Sequence, residues 1–307
     1  MPFSHHSHSG QFCGHAKDNL SDVINTARKK KMISFALTEH MPRGDEDLYP
    51  EEKEANMNST KLMETFEIYV KEARAIQAES TARSDHQTMR ILVGFEADWI
   101  RPVECTKMIQ DLMGRYQLDY FIGSVHHVKT IPIDYDKELY LQARQSCGGT
   151  EEALFETYYD AQYDMLQALK PRVVGHFDLI RLLSYEPNLD WTLFDSVWQK
   201  IMRNLKFVVE YGGLLEINTS AWRKGMQDPY PTREICKAYM DLGGSFVTSD
   251  DSHGIDHVAT NYHKLLDFFA DIELTRISYL WEDGGSIVVQ SMIVEELAEL
   301  AFWKTQE

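Results

Sequence analysis

No run of about 18 apolar residues occurs in this chain, so no segment reads as a membrane span. Cationic side chains are in short supply: 31 Lys and Arg stand against 48 Asp and Glu, a formal net charge of −17. That balance excludes long nucleic acid as a partner, because a phosphate backbone is held by surplus Lys and Arg. It leaves room for a small phosphorylated molecule in a locally basic pocket. Cysteine is sparse too. Cys13, Cys105, Cys147 and Cys236 form no C-x-x-C pair, which excludes a disulfide framework and fits reduced thiols in a cytoplasmic protein. The polar N-terminus lacks the apolar core of a secretory signal. There is no repeat of fixed period and no low-complexity linker, so a single domain over residues 1–307 is expected.

What is present is an alternation of short apolar segments with longer helical patterns. Strands are expected at 32–40, 89–99, 119–128, 172–180, 213–220, 244–253 and 276–281. Helices are expected at 18–31, 58–80, 102–115, 150–169, 191–211, 231–242, 259–271 and 288–304, with 41–58 and 129–149 as long loops. Asn58-Ser59-Thr60 and Pro231-Thr232-Arg233-Glu234 carry helix-start signals. The strands are almost wholly apolar rather than alternating, which is the pattern of a parallel sheet covered on both faces. Seven or eight β–α units in one chain favour a barrel over an open, doubly wound sheet.

The opening residues, MPFSHHSHSGQFCGHA, resemble an affinity tag at first sight. Their histidines, however, are irregularly spaced, and a helical pattern begins almost at once. In an extended segment residues i and i+2 face one side, so His6 and His8 can reach one ion. Cys13 reads as a small buried residue ahead of a ligand. Further along, the apolar runs end in potential ligands: Thr38-Glu39-His40, Gly94-Phe95-Glu96, Ser124-Val125-His126-His127, Gly175-His176-Phe177-Asp178 and Asp250-Asp251-Ser252-His253. Each alone is an ordinary strand end or turn. Together they are a poor coincidence, because a β/α barrel gathers its C-terminal strand ends on one face and metal ions satisfy clustered imidazole and carboxylate. With His15 after the Cys13-Gly14 turn, the candidates number seven histidines (6, 8, 15, 40, 126, 176 and 253), one Glu and one Asp, too many for one ion and suited to two or three ions with a bridging carboxylate.

The ordered set H-x-H, C-G-H-A, T-E-H, G-x-E, S-V-H, G-H-x-D and D-x-H resembles the polymerase and histidinol-phosphatase (PHP) phosphoesterases from residue 4 to about residue 253. The stretches SHHSHSGQFCGHA, GSVHHV, GHFDLIRL and EINTSAWRKG are similar to the monofunctional histidinol-phosphatase branch. The resemblance implies an α/β fold, a distorted (β/α)7 barrel of TIM-like type, with three divalent metal ions (Zn, Fe or Mn). It places His6, His8, Glu96 and Asp251 on the first ion. Glu96 would bridge to a second, completed by His126 and His176, and His15, His40 and His253 would hold the third. His5 and His127 match no ligand position. Asp250 is an alternative to Asp251, and the D-x-H spacing favours Asp251.

The implied activity is hydrolysis of L-histidinol phosphate to L-histidinol and phosphate in histidine biosynthesis, a metal-bound hydroxide attacking phosphorus in line. Another small phosphomonoester or a nucleotide, or metal binding without catalysis, are the alternatives. Asp178 is a candidate general acid or an orienting partner of a histidine ligand. Arginine suits phosphate because its planar fork offers paired hydrogen bonds. Arg181 and Arg223 are the first candidates, with Arg43 in a loop behind them. Glu216 and Asn218 share a strand face and could contact the substrate amine or support a ligand. Trp222 and Phe177 could line the imidazole pocket or belong to the core.

Overall fold

The computed structural model describes residues 2–82 and 89–305. Its strands are β1 (Phe3–Ser4), β2 (Ser7–His8), β3 (Ser34–Leu37), β4 (Arg90–Asp98), β5 (Tyr120–Ser124), β6 (His127–Val128), β7 (Ile131–Pro132), β8 (Val173–Val174), β9 (Leu214–Asn218), β10 (Ser245–Ser249), β11 (Ser252–His253), β12 (Arg276–Asp283) and β13 (Ser286–Ile293). The largest sheet has seven strands in the order β1-β3-β4-β5-β8-β9-β10, and the pairs β1/β3, β3/β4, β5/β8 and β8/β9 are parallel. The His5 N–H donates to Thr248 O at 3.1 Å, so β1 also meets the strand at the far end of that order. The sheet thus returns on itself as a (β/α)7 barrel. As expected of covered parallel strands, β3 and β9 are buried at every position.

The chain divides into two compact units, residues 1–96, 112–121 and 247–307 in the first and 97–111 and 122–246 in the second. In the first unit, Tyr69 is fully buried on the long helix Ser59–Ala82, and its hydroxyl lies 2.6 Å from Leu37 O and 2.7 Å from Gly94 O. Gly94 is required there: a Cβ would stand 2.5 Å from Tyr120 O. In the second unit the helices Glu151–Leu169 and Asp195–Tyr211 are amphipathic and bury one face each. Thr150 caps the first of these by accepting from Ala153 N–H at 3.2 Å.

Five sequence expectations are corrected. The segment 276–281 is no barrel strand, and 288–304 is not one helix. β12 and β13 instead pair antiparallel, from Arg276↔Ile293 to Asp283↔Ser286, and only Val294–Ala298 is α-helical. The cause is the Asp283-Gly284-Gly285 turn. Both glycines take positive φ (59° and 84°), which a two-residue hairpin loop demands. The stretch 129–149 is not structureless: it holds β7, paired with β6, and a helix at Lys137–Ser146 capped by Asp136. Within 41–58 lie a 3-10 turn at Asp45–Asp47 and a short helix at Pro50–Glu54. Polar composition hid both, because each short element is held by caps and tertiary contacts rather than by an apolar stripe. The strand expected over 172–180 shrinks to β8, since the backbone turns at Gly175 and tightens into a 3-10 helix at Leu179–Arg181.

Candidate metal centre

In the first unit the opening segment is threaded through buried hydrogen bonds. Ser7 N–H donates to Thr38 Oγ1 (2.9 Å), Ser7 Oγ donates to Ala36 O (2.6 Å), and β2 pairs parallel with β11, His8 opposite His253. Pinning Ser7 on one face sends His6 and His8 to the other. Beyond β3 the chain stays against β4, Met41 N–H to Glu96 O at 2.9 Å and Glu96 N–H to Glu39 O at 3.0 Å. This carries His40 to Glu96.

The side chains converge on one carboxylate oxygen. Glu96 Oε2 lies 3.2 Å from His6 Nε2, 3.4 Å from His8 Nε2 and 3.1 Å from His40 Nδ1. Asp251 Oδ1 is 3.8 Å from both His6 Nε2 and His8 Nε2. Asp251 holds a left-handed backbone, φ 47°, an uncommon conformation for a residue other than glycine. The rings of His8, His40, His253 and His15 pack together, with centroids 4.4 Å apart for His8–His40 and 5.2 Å for His15–His253. His6, His8, Glu96 and Asp251 are nearly or fully shielded, His40 and His253 are partly exposed, and the His15 side chain keeps 41 % of its exposure and faces Glu51.

Electrostatics follows from this crowding. Burial alone would lower the His8 pKa, but Glu39 and Glu96 outweigh it and lift it to about 9. Burial, reinforced by the neighbouring His8, pushes His40 and His253 well below the usual imidazole range. Glu39, which lies in the T-E-H motif but has no role assigned from the sequence, accepts from Ser9 N–H (2.8 Å) and Ser9 Oγ (2.7 Å), and presents Oε2 to His8 Nδ1 at 3.6 Å. It orients the imidazole so that Nε2 faces the cluster. The Asp250 carboxylate is spent elsewhere, accepting from Ser4 Oγ (2.8 Å), Ser252 N–H (3.2 Å) and Ala259 N–H (2.6 Å). Of the two aspartates, Asp251 is the one that faces the histidines. His5 is structural: its Nδ1 faces Thr248 O at 2.9 Å, and its Nε2 accepts from Leu280 N–H at 3.0 Å, tying β12 to the first strand.

The second unit holds a smaller cluster. His126 Nε2 and His176 Nε2 face each other at 3.2 Å. Asp98, which no sequence motif singles out, is fully buried with Oδ1 3.4 Å from His126 Nδ1 and Oδ2 3.4 Å from His127 Nδ1. Burial would raise its carboxyl, but the His127 and His126 imidazoles overcome that and hold it well below the usual range. The only trace of Asp98 in the sequence is an acidic residue two places after Glu96 on an apolar strand, hence on the same face. His176 is delivered by its backbone: its N–H donates to Glu216 Oε2 at 2.8 Å, and Asn218 Nδ2 donates to the same oxygen at 3.0 Å. Glu216 and Asn218 therefore support His176. Gly175 allows the approach, because a Cβ would meet Ser124 Oγ at 2.6 Å and Ile122 Cγ2 at 2.8 Å. Asp98→Ala is expected to weaken metal binding about 10–100-fold, the usual cost of losing a partner that orients a ligand; competition against a metallochromic chelator measures it.

The expected phosphate contacts separate. Arg181 is fully buried and uses Nε on Asp178 Oδ2 (2.9 Å), Nη1 on Pro187 O (2.9 Å) and Nη2 on Asp228 O (3.1 Å) and Pro229 O (2.7 Å), with Tyr230 under its guanidinium. Four of its five N–H groups are so engaged, which gives Arg181 a structural role in place of the expected phosphate contact. Asp178 Oδ2 also accepts from Thr232 N–H (3.1 Å) and Trp191 Nε1–H (3.4 Å), while its Oδ1 has no hydrogen-bond partner. Burial pushes the Asp178 carboxyl up, against the pull of Arg181. Arg43 pairs with Glu52, stacks over Tyr49 and borders a cavity of about 30 Å³ shared with Cys13, His15 and His40. Arg223 ends the short helix Ser220–Arg223 and is half-buried. Phe177 is core, against Tyr159, and Trp222 donates to Gln227 O at 2.8 Å.

Imidazoles and carboxylates whose ligand atoms approach within 4.8 Å are a donor set suited to divalent metal ions. Fold and donors together define a metal-binding β/α-barrel enzyme. The PHP domain family model matches residues 4–220, and the chain belongs to the PHP family. It is 42% identical over 301 residues to a Schizosaccharomyces pombe protein named "Probable histidinol-phosphatase", covering 97% of this chain and 96% of that one. It is 31% identical over 335 residues to the Saccharomyces cerevisiae "Histidinol-phosphatase", covering 98% of each. Among solved structures, the histidinol phosphate phosphatase of Lactococcus lactis, described as complexed with Zn, L-histidinol and phosphate, superposes with a TM-score of 0.67 at 20% identity, covering 93% of this chain and 98% of that one.

Proposed function

We propose that this protein is a histidinol-phosphatase, a phosphoric monoester hydrolase that converts L-histidinol phosphate to L-histidinol and phosphate in histidine biosynthesis. Its similarity to relatives of that name over nearly the whole chain carries the reading. The donor set supports it. His6, His8, Glu96 and Asp251 are assigned to a first ion, His126 and His176 to a second, and His15, His40 and His253 to a third. Divalent ions bound there supply Lewis acidity, which lowers the pKa of water and neutralises phosphoryl oxygens.

The protein groups do the rest. Glu39 and Asp98 hold His8 and His126 with Nε2 presented as donor. Arg43, which borders the cavity shared with His15 and His40, and Arg223 are assigned to the phosphate oxygens. Asp178 Oδ1 is assigned to protonate the leaving alkoxide, a role suited to a carboxyl that burial has raised. No described helix is long and apolar enough to cross a membrane, and the four cysteines are free, consistent with a small-molecule enzyme of the cytoplasm.

Purified, metal-loaded protein is expected to release phosphate from L-histidinol phosphate in preference to a nucleotide. Chelation is expected to abolish the activity, and metal to restore it. Rebinding to the metal-free protein is expected to strengthen as pH rises towards about 9, where His8 loses its proton to the ion's advantage. Cleavage of another phosphomonoester but not of histidinol phosphate would overturn the substrate assignment.

A further inference from the structure

From the sequence Cys13 reads as a small buried residue, and the family pattern supplies no role for its sulfur. The structure buries it as read, and also sets it among imidazoles. Cys13 is 5 % exposed, and its Sγ lies with nitrogens of His8, His40 and His253 in a group of ligand atoms all within 4.8 Å of one another. The turn that carries it is held by its backbone: Cys13 N–H donates to Ser9 O (2.9 Å), Ala16 N–H donates to Cys13 O (3.1 Å), and Lys17 N–H donates to His253 O (2.9 Å). The sulfur therefore moves with His253 rather than with a free terminus. His8, buried in the same group, has Glu39 Oε2 3.6 Å from its Nδ1 and Glu96 Oε2 3.4 Å from its Nε2. A cation resolves such a cluster of buried imidazoles and carboxylates.

We propose that Cys13 is a sulfur ligand of the ion assigned to His15, His40 and His253, completing a four-donor shell of one thiolate and three imidazoles. The inference rests on the reading that ions bind here. Cys13 Sγ and His15 Nε2 are 3.2 Å apart. Bonds of about 2.3 Å to sulfur and 2.0–2.1 Å to imidazole put two ligands of a tetrahedral ion about 3.5 Å apart. The pair is thus spaced as neighbours around one ion. On binding, the S–H bond breaks, a sulfur–metal bond forms and one proton leaves to solvent. A thiolate is a soft donor, so this position selects Zn over Mn more strongly than three imidazoles would.

The test loads the full-length protein with Co(II) and records the near-ultraviolet thiolate-to-cobalt charge-transfer band. The band is expected in the wild type and in Cys105→Ser and Cys236→Ser, and absent from Cys13→Ser. The Zn-over-Mn preference of Cys13→Ser is expected to fall at least about 10-fold, the lower end of what losing a ligand-orienting group costs. A fully loaded wild-type protein without the band, or a band that survives in Cys13→Ser, overturns the proposal; the wild-type spectrum decides even where the variant does not fold. Failure of the protein to bind Co(II) at all overturns it together with the metal reading. A band present in a protein inactive on histidinol phosphate upholds the ligand and sinks only the substrate.

Discussion

Asp251→Ala is expected to cut phosphate release by at least about 100-fold while the protein stays folded. The upper end of the loss from merely disturbing a ligand's orientation is already about 100-fold, and Asp251 faces two of the proposed ligands directly, His6 and His8. Its neighbour should behave in the opposite way. Asp250→Ala removes the acceptor for Ser4 Oγ, Ser252 N–H and Ala259 N–H, all buried. Each stranded donor costs about 1–3 kcal/mol, so this variant is expected to lose several kcal/mol and to be recovered poorly. Steady-state phosphate release paired with denaturant unfolding separates the two. Near wild-type turnover in a folded Asp251→Ala would show the donor cluster to be misassigned.

Arg181→Ala is expected to act on the fold rather than on substrate binding. Removing the guanidinium leaves its buried acceptors without that donor, a loss of about 1–3 kcal/mol for each. Here the stranded partner is Asp178, and Pro187, Asp228 and Pro229 lose donors as well. Lysine should not rescue it, because one ammonium cannot reproduce a planar fork that reaches four oxygens. Denaturant midpoints measure the effect. A stable Arg181→Ala with a raised KM for histidinol phosphate would restore the phosphate role expected from the sequence.

The contrast between these arginines and aspartates shows why parts of the site are legible in the sequence and parts are not. His6 and His8 can be placed together because a strand has a period of two, which is local geometry. His40, Glu96, His126 and His176 can be picked out because each ends an apolar run. The β12–β13 hairpin is also written locally, in Asp283-Gly284-Gly285, and is lost when a helical pattern is extended across it. Glu39 and Asp98 are not legible as orienting groups, since a carboxylate on a strand looks the same whether it faces an imidazole or solvent. Their roles come from Ser9 and His8 in one case and from His126 and His127 in the other.

By itself the sequence determined the covered parallel strands, the barrel class and the inventory of imidazoles and carboxylates. These depend on hydrophobic pattern and residue type, which need no partner to be read. Tertiary structure alone decided what occupies the Asp250 carboxylate, which arginine is consumed by the fold, and that the Cys13 sulfur lies among imidazoles. The reason is physical: a polar side chain's role is set by the donors and acceptors around it. For Ser4 and Asp250 those partners meet across 246 residues of chain.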